Sequence, residues 1–427
     1  MRILHLTPGT GSFHCGSCLR DNALVKALRA RGHDAMIAPL YLPLVTDADE
    51  ANPEQPVRVG GVGLYLQQKF PWFRFMPRFV HRLLDRPALL RWASRRMGLT
   101  GARDLGEMTV GSLLGEESPQ WVEWEKLVRW VTEECHPDVV VLSNSLLCGL
   151  APALSRAGLP VVCSLQGEDA FLDTLIEPYR TRAWGLMNRT AQSVERFVAP
   201  SQFYADLMSR RMGVGMDKMS VVFNGLNFEA YAAERRAPEK PTIGFLARMI
   251  HGKGLTTLVE SFIQLAERGT VPELRLRIGG AVTSADELYL QGLKQKLAEA
   301  GLTDRVSWEP NLSFEDKVKF LHEIDVFSVP ATCGEAFGLY VIEAQACGVP
   351  VVQPRHGAFP ELLAMTQGGL LVEPDDVKSL AGGLEELLLN QGKRQELGET
   401  ARVQTRRRFS AAAMAESFEA VLAKTKK

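Results

Sequence analysis

This chain predicts an α/β fold of two Rossmann-like parallel-sheet domains, on three observations. Short continuous apolar runs recur between helical patterns, as strands buried on both faces do. Glycine-bearing loops join several of those runs to the helices that follow, where backbone has to come close to a ligand. A length of 427 residues exceeds what one core usually supports, so two domains of ~200 residues each are expected.

Apolar content of 46% with 23% charged residues fits a folded globular protein. A net charge of -1 gives no global reason to bind nucleic acid. The first apolar run is too short for a secretory signal and no stretch of ~20 apolar residues could span a bilayer, so a cytoplasmic protein is expected. Seven cysteines, an odd count in mostly apolar or helical settings, read as reduced thiols. His14, Cys15 and Cys18 offer half of a metal or redox site, but no second Cys/His pair at zinc-like spacing completes it, and no metal is expected.

In order, residues 2–7 form a first strand. The loop 8–16 carries Gly9, Gly11 and Gly16, and a helix follows to about Arg31, ended by Gly32-His33. Further strands are expected at 35–42, 138–142, 161–165, 197–200 and 219–223. Gln166, Glu168 and Asp169 end the 161–165 run; ligands collect at the carboxyl ends of parallel strands, so these three are cleft candidates, and a plain polar turn fits them as well. Ser201 is placed to cap a helix, and Asn224-Gly225 is a strong turn signal.

An insertion at about 45–130 interrupts this half. Its segment 69–96 has eight basic residues against one acid, Asp85. Arg74, Arg78, Arg82 and Arg86 recur every four residues, opposite Phe70, Trp72, Phe73, Phe75, Phe79 and Trp92. This composition fits an interfacial helix on anionic lipid, peripheral on the inner face of the membrane, and equally a segment packed internally with solvated arginines.

The segment 228–241 is charged, proline-bearing and poor in large apolar residues, and reads as a linker. Strand 242–246 then leads to Arg248 and Lys253, five apart on a glycine-containing strand-to-helix loop. Two such cations can share one diphosphate, with the following helix dipole adding to them; in isolation they would read as surface charges. Strands at 274–278 and 304–310 end at Gly279-Gly280 and Pro310, and strand 325–329 delivers the chain to Glu335. A helix over 339–347 is opened by Gly338, stopped by Gly348 and followed by Pro350. It is apolar apart from Tyr340, Glu343 and Gln345. A buried carboxylate costs several kcal/mol, roughly, unless it is bonded, so Glu343 needs a partner. Glu335, eight residues earlier, borders the helix N-terminus, where free N–H groups favour an anion. Near the end, Arg406 to Arg408 read as a solvated turn.

The stretch Glu335-Ala-Phe337-Gly338-Leu339-Tyr-Val-Ile-Glu343-Ala-Gln-Ala-Cys-Gly348-Val-Pro350 resembles the Glu-x7-Glu motif of the retaining glycosyltransferases of family four, which have the GT-B fold. Arg248-x4-Lys253-Gly254 is similar to a second motif of that family. Arg31-Gly32-His33, Asn224-Gly225, Gly357-Ala-Phe-Pro360-Glu361 and Gly369-Leu-Leu-Val-Glu-Pro374-Asp-Asp376 are similar to further ones. One departure is Gln166, which stands where many members carry a histidine.

The resemblance implies GT-B architecture, with two Rossmann-like domains facing across a cleft: an acceptor-side domain at 1–227, a linker at 228–241, a nucleotide-sugar domain at 242–410, and a terminal helix at 411–427 packing back on the first domain. It implies hexosyl transfer, with retention, from a nucleotide-diphosphate sugar to a hydroxyl of a glycan, a lipid-linked molecule or a small molecule, with no metal and no cofactor besides the donor. Glu335, Arg248 and Lys253 would carry the chemistry. Glu343 (on the ribose), Phe337, Gly338, Leu339, Gly279 and Pro310 would bind the donor, and Gly11, Gly16, Gln166, Glu168, Asp169 and Asn224 would lie on the acceptor side. The alternatives are a catalytically silent nucleotide-sugar-binding protein and a sugar-nucleotide epimerase of similar fold, which the Glu-x7-Glu helix fits poorly. An NAD-dependent oxidoreductase would want Gly-x-Gly-x-x-Gly, and the loop at Gly9-Thr10-Gly11 lacks the third glycine.

Overall fold

In a computed structural model, which describes residues 1–9, 16–41, 102–118, 121–233, 235 and 237–425, the apolar runs become the middles of two parallel sheets. The chain divides into two units, Met1–Leu226 with Ala411–Lys427, and Asn227–Ser410. The segment 69–96, Gly11, His14 and Cys15 lie outside the described residues.

The first unit runs β1 (Arg2–Thr7), α1 (Gly16–Ala30), β2 (Asp34–Pro39), α2 (Ala102–Leu114), α3 (Trp121–Trp130), β3 (Val139–Leu142), α4 (Ala151–Arg156), β4 (Val161–Ser164), α5 (Glu168–Asp173), α6 (Tyr179–Ala191), β5 (Arg196–Ala199), α7 (Gln202–Met212) and β6 (Met219–Val221). Its sheet has the order β2-β1-β3-β4-β5-β6, every pair parallel. All four residues of β3 and all four of β4 are buried, each large aliphatic among them adding ~1.5–3 kcal/mol. Ser201 caps α7 by accepting from the Tyr204 N–H.

The second unit runs β7 (Thr242–Leu246), α8 (Leu255–Arg268), β8 (Arg275–Gly280), α9 (Glu287–Glu299), β9 (Val306–Pro310), α10 (Phe314–His322), β10 (Val326–Phe327), α11 (Leu339–Ala346), β11 (Val351–Pro354), α12 (Phe359–Thr366), β12 (Gly369–Val372), α13 (Val377–Leu389) and α14 (Gln391–Arg408). The sheet order is β12-β11-β10-β7-β8-β9, again all parallel. In each sheet the order reverses once, between β1 and β3 in the first and between β7 and β10 in the second. Ligands of open α/β sheets bind outside the strand carboxyl ends at such points.

The last helix, α15 (Ala411–Leu422), belongs to the first unit. Met414, Phe418, Val421 and Leu422 join Leu24, Val25 and Leu28 of α1 in one buried cluster. Glu419 accepts from Arg31 Nε at 2.7 Å and lies 3.1 Å from a His33 ring nitrogen. Glu419 is open to solvent, where such pairs are screened, so the apolar face does the holding. The segment expected as a linker is tied into the second unit, because Tyr231 within it is buried. Arg406 is no solvated turn either: it lies in the last turn of α14 and its Nη2 donates to Tyr231 O at 2.9 Å and Ala346 O at 3.0 Å. A run of three arginines suggested solvent, but carbonyls left open at the end of α11 are a better destination for one of them.

Candidate active site

At the reversal point of the second sheet, the loops after β7 and β10 are pressed together. Gly254 has φ +72°, and a Cβ there would stand 1.7 Å from Pro330 O. Thr332 N donates to Gly252 O at 3.1 Å. This contact brings Lys253 to Glu335: the Lys253 ammonium donates to Glu335 Oε2, which also accepts from the Tyr340 hydroxyl at 2.7 Å. Lys253 and Glu335 are only 23% and 16% exposed. Burial pushes the Glu335 carboxyl up, but the Lys253 charge, the two hydrogen bonds and the nearby His356 outweigh it and hold the group below its ordinary value. Glu335 is thus ionised at neutral pH. Its backbone is held from a third loop, where Ala358 N donates to Glu335 O at 2.9 Å and Gly357 has φ +62°, with no room for a Cβ against Glu335 N.

Gly338 has φ +91° and opens α11, with Leu339 as its first residue. Phe337 is buried with its ring against Phe409, 5.8 Å between centroids, so its side chain packs the core. Arg248 extends from the same loop as Lys253, 53% exposed, with its guanidinium 3.7 Å from Asp286. Gly279 is packed between Leu246, Leu312 and Phe320. Pro310 lines a pocket of about 330 Å³ with Met249, Val282, Lys294 and Trp308 at the carboxyl ends of β7, β8 and β9.

Glu343 is buried on α11, and its Oε1 accepts from the Tyr231 hydroxyl at 2.8 Å and from Lys317 Nζ at 2.9 Å. The partner that this carboxylate needed is therefore present within the protein, from residues 112 and 26 positions away in sequence. Neither Tyr231 nor Lys317 carried a local motif signal.

The carboxyl end of the first sheet is built differently. Arg20, fully buried on α1, donates from Nη1 to Asp21 Oδ1 at 2.7 Å and Ser164 Oγ at 3.2 Å, and from Nε to Asn224 Oδ1 at 3.2 Å. His5 Nε2 lies 3.3 Å from Asp21 Oδ2. Burial raises the Asp21 carboxyl, but His5 and Arg20 bring it below its ordinary value. Gln166 donates through Nε2 to Asp21 Oδ1 and Ser143 O. Glu168 is buried, with Oε1 accepting from Ser145 N at 2.7 Å and Oε2 from Gln166 N at 2.7 Å and Gly167 N at 3.0 Å; burial raises its carboxyl against these bonds. The Tyr204 hydroxyl lies 3.1 Å from Glu168 Oε2 and 2.8 Å from Asp169 Oδ1. Glu168 therefore ties the loops after β3 and β4 together, and Gln166 and Asp169 are the more accessible of the three. Gly16 is the exposed first residue of α1. The sequence reading missed Arg20, Asp21 and His5, because an adjacent Arg-Asp pair in a helix looks like ordinary solvated charge.

Two family models match consecutive stretches of the chain, Glycosyltransferase Family 4 over residues 106–230 and Glycosyl transferases group 1 over residues 228–404. The chain belongs to family four of the glycosyltransferases. Curated proteins similar to this family-four chain include a D-inositol 3-phosphate glycosyltransferase of Paenarthrobacter aurescens (strain TC1), 27% identical over 222 residues, covering 50% of this chain and 53% of the relative. A GDP-mannose-dependent alpha-(1-6)-phosphatidylinositol monomannoside mannosyltransferase of Mycobacterium tuberculosis (strain H37Rv) is 29% identical over 175 residues, covering 39% and 43%. The chain thus spans about half the length of these curated relatives. Among solved structures, Anabaena Alr3699/HepE in complex with UDP and glucose matches 99% of this chain and 100% of its own, with TM-score 0.67 and 19% identity. Sucrose-phosphate synthase from Thermosynechococcus elongatus matches 99% and 98%, with TM-score 0.70 and 18% identity. That likeness shows the fold of the family-four chain, the GT-B fold expected from its motifs. No helix among the described residues is long and apolar enough to cross a membrane.

Proposed function

We propose that this chain transfers a hexosyl group, with retention, from a nucleotide-diphosphate sugar to a hydroxyl acceptor. The observation that carries the reading is the placement of Lys253 on Glu335 at the start of α11, on the two loops that follow the strands where the sheet order reverses. Departure of the nucleoside diphosphate adds negative charge to a phosphate oxygen and leaves the sugar carbon oxocarbenium-like. Lys253, Arg248 and the N–H groups opening α11 oppose that charge as it grows, and one well-placed donor of this kind contributes ~3 kcal/mol. The ionised Glu335 accepts from sugar hydroxyls. Glu343, steadied by Tyr231 and Lys317, takes the ribose, and the pocket at Met249, Val282, Trp308 and Pro310 seats the base.

Gln166 and Asp169 are the acceptor-side candidates. The curated relatives are named for inositol 3-phosphate and a phosphatidylinositol mannoside. A phosphorylated polyol, free or lipid-linked, is accordingly the acceptor class supported here. Calorimetric titration with nucleoside diphosphates beside NAD tests the donor, and a screen of nucleotide sugars with inositol phosphate or phosphatidylinositol tests transfer. Diphosphate binding that disappears in Lys253→Ala is expected. Binding of NAD in its place would overturn the reading, and tight binding without turnover of any nucleotide sugar would leave a silent binding protein.

A further inference from the structure

The second unit has a second concentration of positive charge, at the opposite end of its sheet. Tyr231, Arg235, Cys347, Glu399, Arg402 and Arg406 line an open cavity of about 570 Å³. It lies at the amino ends of β10 and β11: Arg235 Nη2 donates to Ile324 O at 2.6 Å just before β10, and Cys347 precedes β11. Glu335 lies before α11 and Cys347 after it, and eight residues of helix span ~12 Å. The cavity is therefore a helix length from Lys253 and Glu335, and meets the donor side only through Tyr231, which donates to Glu343.

The three guanidinium groups are unequally matched. Arg402 donates from Nε and Nη2 to the two oxygens of Glu399, at 2.8 and 2.6 Å. Arg235 stands 3.7 Å from Asp325, which Arg394 also approaches at 3.5 Å. Arg406 spends Nη2 on two carbonyls, and the Nε atoms of both Arg235 and Arg406 are buried without a hydrogen-bond partner among the described residues. A buried donor left open costs ~1–3 kcal/mol. Burial and the charge of Arg402 lower the Arg406 guanidinium from its ordinary value; burial and the charge of Arg394 do the same for Arg235, against Asp325. Burial is the larger cause of both shifts, and at Arg406 the neighbouring Arg402 charge adds to it.

We infer that this cavity binds a phosphate group, free or carried on a lipid headgroup, through Arg402 and Arg406 with Arg235 behind them. Tetrahedral oxyanions suit the planar, multi-donor guanidinium. Their charge would offset two crowded cations and draw Arg402 away from Glu399. The inference does not rest on the transferase reading, since none of these residues touches Lys253 or Glu335.

The test is thermal and calorimetric titration of the full chain with inorganic phosphate, against chloride at matched ionic strength. Lys253→Ala, which removes a cation from the donor site, should keep phosphate binding at the cavity. Arg402→Gln should bind it about tenfold more weakly, the loss expected for one charge-assisted contact. Glu399→Gln, which releases Arg402 from its internal partner, should bind it more tightly, and this variant keeps the test decisive if Arg402→Gln does not fold. Co-sedimentation with phosphatidylcholine vesicles containing phosphatidic acid separates the two sources. A fall in Arg402→Gln relative to wild type assigns the lipid headgroup, and equal sedimentation with altered inorganic phosphate binding assigns the free ion. Phosphate binding equal in wild type, Arg402→Gln and Glu399→Gln, or abolished in Lys253→Ala, would overturn the inference.

Discussion

The carboxyl ends of the two sheets hold their charged groups in opposite ways. In the first sheet Arg20, Asp21, Glu168 and Asn224 are buried and engage one another or nearby backbone. In the second, Lys253, Glu335 and Arg248 keep between 16% and 53% of their side chains exposed. One topology thus supplies both a frame and a working surface, and what separates them is whether a ligand could still reach the groups. At Glu168 burial outweighs the hydrogen bonds and raises the carboxyl, while at Glu335 burial is outweighed by the Lys253 charge together with the hydrogen bonds from Lys253 and Tyr340, and the carboxyl is lowered.

Substitutions should therefore divide between stability and activity. The largest effect is expected from Arg20→Ala, which leaves Asp21 with a buried charge and fewer donors. A loss of ~3–5 kcal/mol and a fall in Tm of roughly 10 °C should appear in calorimetry. An unchanged Tm would break the contrast at its first term. Lys253→Ala should do the reverse, lowering Tm less than Arg20→Ala does, because Glu335 keeps the Tyr340 hydroxyl and some exposure, while kcat/KM falls by ~100-fold or more, the cost of one donor aimed at developing charge. Turnover at the wild-type rate would remove Lys253 from the chemistry.

Tyr231→Phe tests an intermediate case, a buried carboxylate, Glu343, that loses the Tyr231 hydroxyl as a donor. A loss of ~1–2 kcal/mol is expected by denaturant titration, with Lys317 still in place. The smallest effect is that of acid. Glu335 has a depressed folded-state value, so its contribution is present above its ordinary 4.5 and is lost as pH falls through the lower folded value. Glu168 is shifted the other way, so acid relieves a buried charge there. In Glu335→Gln the acid limb of stability should flatten below about pH 4.5, whereas in Glu168→Gln it should steepen just above about pH 4.5, where the native carboxyl takes up its proton; the same limb in both would deny the contrast.

The fold was legible because continuous apolar runs and glycine stops are local signals. Helix α11 begins at the predicted residue and ends one short of the predicted last one, Cys347, with Gly348 at φ +76°. Lys253 and Glu335 were each visible as residues on strand-end loops, yet their contact across 82 positions was not, since no local pattern encodes which loops a sheet order makes neighbours. The same holds for Tyr231 on Glu343. Arg406 was misjudged and Arg20 overlooked for one reason: sequence alone cannot distinguish a charge facing water from one whose donors end on buried carbonyls or carboxylates.

The place of α15 bears on how the molecule is made. The second unit is a continuous stretch, Asn227–Ser410, but the first takes Ala411–Lys427 as well. During synthesis, at ~5–20 residues per second, the face of α1 formed by Leu24, Val25 and Leu28 has no covering helix until some 380 further residues have been added. The first half to emerge is thus the last to be sealed, and a ribosome stalled within α14 would leave the apolar face of α1 uncovered and open to chaperones, with nearly all of the second unit already synthesised.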